Sequence, residues 1–102
     1  MIKYVAEFIG IFIFVSVILR SSIFSQGMQL LVIALGLFIG ILFCASTSGG
    51  HINPAVSFAM LFNPKAQFGF KDFIGYVIAQ LLGAYTALKV YQIMEGTPLS
   101  FP

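Results

Sequence analysis

Three long apolar stretches, with a short polar connection between the first two and a longer mixed one before the third, set the pattern of this chain. Tyr4 to Leu19 is the first and ends at Arg20-Ser21-Ser22. Met28 to Ala45 is the second and holds no charged residue. Phe73 to Met94 is the third, with Asp72 in the place of a helix N-cap. Each is long enough to be read as a membrane span. The first is the shortest, about 16 residues against the usual ~20. These runs predict an all-α membrane protein with spans over about 4–20, 28–46 and 72–94. Ala55 to Phe62 is also apolar, but far too short to cross a bilayer. The tail from Glu95 to Pro102, with Gly96 and two prolines, is read as non-helical.

Small residues recur within the spans at helical spacing. Gly75, Ala79, Gly83 and Ala87 form one stripe, Gly36 and Gly40 a second, Ala6 and Gly10 a third. In lipid, stripes of this kind let helix backbones approach closely, so a tightly packed bundle is expected. No pattern occurs twice, so the chain has no internal repeat.

Composition agrees with a lipid solvent: 60% of the 102 residues are hydrophobic and 8% charged, against about 25% charged in soluble domains. Mean hydropathy is +1.05. The net charge of +2 comes from scattered basic residues and offers no patch for nucleic acid. Cys44 is the sole cysteine, which rules out an intrachain disulfide, and its apolar surroundings make it a buried hydrophobe. Glu7 interrupts the first run and no small-residue cleavage site follows Arg20, so the first span is read as retained and not as a signal peptide. Lys3, Lys65 and Lys71 flank one side of the spans, with Arg20 and Lys89 toward the other, which favours a cytoplasmic N-terminus.

Chemistry concentrates in Ser48-Gly49-Gly50-His51-Ile52-Asn53-Pro54-Ala55-Val56. Pro54 suits the first position of a helix and Asn53 its N-cap. A helix from Ala55 to Phe62 covers roughly 12 Å, under half of a hydrocarbon core of about 30 Å. A half-helix joined to a glycine-rich loop suits a re-entrant element over about 47–62. Loop backbone at membrane depth is tolerated only within protein or along a water-filled cavity, and the carbonyls of Gly49, Gly50, His51 and Ile52 would need partners there. Glu7 and Gln80 are polar groups inside spans, expensive unless paired or functional. His51 has no second histidine or nearby carboxylate motif, so no metal site is expected, and no cofactor is called for. No nucleophile–base pair or phosphate-cradling motif appears, so catalysis has no support. Ser46, Thr47 and Ser48 fit either a vestibule wall or loop hydrogen bonding.

The S-G-G-H-I-N-P-A-V-S segment resembles the first Asn-Pro-Ala loop of the major intrinsic protein family, the aquaporins and glycerol facilitators. Ala6-Glu7-Phe8-Ile9-Gly10 resembles the family's first-helix pattern, and Gly75 to Gln80 the start of its third helix. The resemblance implies half of an inverted-repeat fold: three spans and one re-entrant half-helix. It implies a passive channel for water and small uncharged solutes such as glycerol, with no enzymatic role. Asn53, Pro54 and Ala55 would face the pore, with the Asn53 amide donating to the permeant and the helix dipole opposing cations and protons. Gly49 to Ile52 would form a carbonyl ladder, while Glu7 and Gln80 would hold the loop. Counting back from the loop places the family's narrow filter at Ile33, whose aliphatic side chain suggests a wall open to solutes beyond water.

The resemblance also implies what one half-repeat needs: a second half, from another chain or a C-terminal extension, and an oligomeric state in a lipid bilayer. A partial sequence, a half-size protein pairing in opposite orientation, and a non-transporting remnant or subunit of a full-length channel all fit. The partial sequence is the preferred expectation.

Overall fold

The structure, a computed structural model, describes residues 1–96. Helix α1 spans Ile2–Arg20 and runs into a 3-10 turn at Ser21–Ile23. Helix α2 covers Gln26–Ser48, the short α3 Pro54–Leu61, and α4 Phe70–Met94. A second 3-10 turn, Pro64–Ala66, lies between α3 and α4. The fold is that of three long apolar helices and one short one. Ile2–Ile23, Gln26–Ser48 and Phe70–Met94 are each long and apolar enough to cross a membrane. The chain is an integral membrane protein of the half-repeat architecture.

Helix α1 is the hub. It packs along both α2 and α4, which do not pack on one another, while α3 leans on α4. Lys3 and Tyr4 meet Asp72 at one end of the bundle, and Arg20 meets Met94 at the other, so α1 and α4 run parallel. The small-residue stripes explain how three helices share so little apolar core. A Cβ on Gly40 would lie 2.8 Å from the Gly10 carbonyl oxygen, so α1 and α2 touch backbone to backbone. A Cβ on Gly83 would overlap Ile11 and come within 2.5 Å of the Phe8 carbonyl oxygen. Ala6, Gly10, Gly36, Gly40, Ala79, Gly83 and Ala87 are all buried. Gly75 instead gives room to the Tyr4 ring. Cys44 is fully buried and continues the α2 stripe. Outward faces stay apolar: Leu30, Phe38, Leu42, Leu81 and Ile93 are all exposed, as lipid or a partner helix would require.

Two expectations need correction. Asp72 is not the N-cap of the last helix. The helix starts two residues earlier, Gly69 takes the cap position, and Asp72 sits in the first turn. There its carboxylate opposes the positive end of the helix dipole and accepts from Lys3 Nζ at 2.9 Å and Tyr4 Oη at 2.7 Å. The first span is also not short. Helix α1 has 19 residues, and with the following turn the span reaches 22. Glu95 and Gly96 form a turn, as expected of the tail, while 97–102 lie outside the described residues.

Close approach at Gly83 generates a test. Replacing Gly83 by leucine forces α1 and α4 apart and should cost about 1–3 kcal/mol or more. Gly27→Ala meets nothing within 4 Å and should be neutral or stabilise by about 0.4–1 kcal/mol. Thermal unfolding in detergent, followed by circular dichroism, should show a lower Tm for the first variant alone.

Candidate functional site

The loop between α2 and α3 turns through backbone that most residues avoid. Gly49 ends α2 at φ 88°, Gly50 follows at φ 67°, and Ile52 takes φ 34°. The glycines adopt these values freely. For a β-branched isoleucine such a φ is an outlier, a strain of about 1–3 kcal/mol that the surroundings must hold. Two things hold it. Ile52 is 1% exposed, and its side chain fills the space left open by Gly10 and Gly40. Its amide donates to Glu7 Oε1 at 2.8 Å.

Glu7, itself fully buried, collects four donors. The His51 amide donates to Oε2 at 3.1 Å and the Ser48 hydroxyl to the same atom at 2.5 Å. Oε1 takes the Ile52 amide and, at 2.8 Å, Gln80 Nε2. A carboxylate has acceptor capacity for all four, so its desolvation is offset by a complete shell. Gln80 is buried behind Glu7 and does not touch the loop backbone. Its Nε2 also donates to Ser57 Oγ at 3.0 Å. The opposite amide orientation would set its oxygen against the carboxylate, so Oε1 points elsewhere and accepts no bond among the described residues.

Ser57 links this cluster to His51, whose Nδ1 lies 2.8 Å from Ser57 Oγ. The half-buried imidazole stacks edge-on against Phe68 and tilts against Tyr76. Tyr76 Oη donates to the Ser48 carbonyl at 2.7 Å, closing the C-terminal end of α2. Sequence reasoning assigned no role to Ser57 or Tyr76 and left Ser48 between two readings. The available signal was spacing: Ser48 extends Gly36-Gly40-Cys44 by one more step of four, and Tyr76 and Gln80 share a helix face.

Asn53 caps α3, its Oδ1 accepting from the Ala55 amide at 2.8 Å. Asn53, Pro54 and Ala55 are exposed, and Asn53 Nδ2 makes no hydrogen bond among the described residues. The carbonyls of Gly49, Gly50, His51 and Ile52 likewise accept none there. Four consecutive backbone acceptors and the amide donor of the next residue are thus left without partners among the described residues. Ser57 meets Gln80, about 15 Å along α4 at 1.5 Å per residue. Phe58 instead stacks on Phe73 near the start of α4. The start of α3 thus lies near mid-span, and the helix runs back toward the end where α4 begins. Ile33 is half-buried on α2, roughly 22 Å along the helix from Ser48, and the structure does not bring it into this cluster.

Comparison with known proteins agrees with this architecture. Residues 1–99 match the family described as major intrinsic protein. A glycerol uptake facilitator protein-like 6 from Lactiplantibacillus plantarum is 41% identical over 91 residues, 83% of this chain and 40% of the relative's length. Aquaporin TIP2-2 of Zea mays is 38% identical over 97 residues, 82% of this chain and 38% of its own. The glycerol uptake facilitator protein of Buchnera aphidicola is 37% identical over 68 residues, 66% of this chain and 25% of its own. The chain thus spans well under half the length of these relatives. No solved structure matches. A parallel-running α1 and α4, a mid-span half-helix capped by asparagine and a family match over nearly every residue converge on one conclusion: the chain belongs to the major intrinsic protein family.

Proposed function

We propose that this chain supplies one half of a passive transmembrane pore for water and small uncharged solutes such as glycerol. The observation that carries this reading is that the carbonyls of Gly49 to Ile52 and Nδ2 of the neighbouring Asn53 have no hydrogen-bond partner among the described residues. A water or hydroxyl accepts from Asn53 Nδ2 while donating to the ladder, which reorients the permeant and breaks a continuous proton-conducting chain. The N-terminus of α3 adds a partial positive charge of about half a unit, which repels cations and protons. Glu7 acts as the anchor that keeps the ladder open, and Gln80 and Ser57 fix the carboxyl from behind. Ile33 contributes an aliphatic wall to a narrower filter nearer the other face.

A single half leaves one side of this file open, so the pore needs a second half-repeat, and the assembly is oligomeric. The N-terminus faces the cytoplasm in a plasma or inner membrane. The relatives named as glycerol facilitators and aquaporins support both solutes. The rival reading is a remnant or a subunit that binds a full-length channel without conducting. That reading keeps the packed small-residue faces of the helices but does not need the loop's unpaired polar groups.

Stopped-flow shrinkage of proteoliposomes separates the two. Reconstituted alone and with the C-terminal half of a relative, wild type should exceed protein-free liposomes in at least the paired sample. Asn53→Asp keeps a good N-cap but removes the amide donor and adds a charge, so water flux should fall to near the protein-free rate. Wild type no faster than empty liposomes in both samples would leave only the non-conducting reading. In a conducting preparation, Ile33→Trp should reduce glycerol flux more than water flux; equal losses would remove Ile33 from the filter.

The anchor role has its own check. Glu7→Gln leaves one carbonyl oxygen and turns the other position into a donor facing a donor. Stability should drop by about 1–3 kcal/mol, with faster hydrogen exchange at the amides of His51 and Ile52. Unchanged protection at those two amides would rule Glu7 out as the anchor.

A further inference from the structure

Away from the loop, α1, α2 and α4 enclose a groove of about 440 Å³ at the end where α1 and α4 finish. Phe12, Val17, Val32 and Val90 form apolar walls, and Arg20 and Met94 stand at its mouth. Ser16, which also lines it, lies about 180° around α1 from Glu7 at 3.6 residues per turn. Phe12 and Arg20 lie on the same side of α1 as Ser16, away from Glu7, while Val17 faces α2.

Arg20 is the unusual element. Arg20 is half-buried as a residue, with Nη1 donating to the Ser16 carbonyl at 3.0 Å and Nη2 reaching Met94 Sδ at 3.2 Å. Its guanidinium carbon lies 5.3 Å from the centre of the Tyr91 ring. All three partners are neutral. Among the described residues, the one ion pair is Lys3 with Asp72 at the far end. Arginine carries five N–H donors in a planar fork suited to an oxyanion, and most of these remain unused here. Arg20 also closes the apolar run of α1, at the height where a span leaves the hydrocarbon and meets headgroup phosphates.

We propose that this groove seats one phospholipid, its phosphodiester on Arg20 and one acyl chain along Phe12, Val17, Val32 and Val90. Charge complementarity selects the ligand: an apolar slot alone would take any hydrocarbon, whereas a slot ending in an uncompensated guanidinium prefers a chain that carries an anion. The site requires membrane insertion but not permeation, so it stands whether or not the chain conducts.

The test uses the full chain in vesicles doped with phosphatidylglycerol that carries a diazirine midway along one acyl chain. A diacylglycerol with the same labelled chain provides the phosphate-free arm. After irradiation, adducts are mapped by peptide mass spectrometry. Adducts should concentrate on Val17, Val32 and Val90, about tenfold more with the phospholipid, as expected for a charge-assisted, bidentate contact. Arg20→Gln, which keeps a donor for the Ser16 carbonyl, should erase the preference, and Arg20→Lys should retain part of it. Val17→Phe should lower labelling at Val32 and Val90 with Arg20 intact, which guards against a variant that merely misfolds. Equal labelling by both lipids, or a preference that survives Arg20→Gln, would mean ordinary annular lipid and overturn the proposal. Cross-links between copies at these residues, with lipid excluded, would overturn it as well by making the groove a contact between chains.

Discussion

Two backbone amides held on one buried carboxyl decide what the rest of this molecule can be. The loop after α2 must turn without hydrogen bonds from a regular element, at a depth where water is scarce. Its donors at His51 and Ile52 go to Glu7, and its acceptors stay free. That division follows from placing a single acceptor-rich group on one side of the chain. Were the loop to fold on itself, the carbonyls would be consumed and no polar file would remain. Unmade hydrogen bonds inside a membrane cost several kcal/mol each, and four carbonyls without a partner among the described residues fit the polar permeant proposed above.

The packing serves the same loop. Ile52 takes an unfavourable φ of 34° because its side chain is seated between α1 and α2. It can sit there because Gly10 and Gly40 have no side chains to fill the space. The small residues that let helices approach therefore also form the socket that fixes the loop. Stability and geometry are coupled at this point: widening the α1–α2 contact would release Ile52, and with it the amide that Glu7 holds. Helix α4 completes the arrangement by presenting Tyr76 and Gln80 from one face, one closing the end of α2 and the other backing the carboxyl.

Much of this was legible from residue order. The all-α membrane class follows from three long apolar runs with at most one charge each, and the half-helix from Asn53-Pro54 followed by too few apolar residues to span. The glycine stripes announced close helix contacts. What could not be read was which polar atoms meet across long separations in the chain. Glu7 and Gln80 stood out because polarity in a span is costly, but serine is cheap enough in a helix to attract no notice. Ser57 thus passed as an ordinary turn of α3, although it joins Gln80 to His51. Asp72 misled for the opposite reason. A carboxylate near a helix start fits both the cap and the first turn, and only the position of Lys3 and Tyr4 decides between them.

The two ends of the α1–α4 pair use charge differently, and this bears on how the chain sits in lipid. At one end Lys3 is neutralised within the protein by Asp72, so the helix starts are tied together without outside help. At the other, the partners of Arg20 among the described residues are all neutral, and it stands beside an apolar groove. Lys65 and Lys71, exposed on the same side as Lys3, carry further positive charge there. The proposed lipid site thus lies at the end where α1 finishes, away from the carboxyl that holds the loop amides.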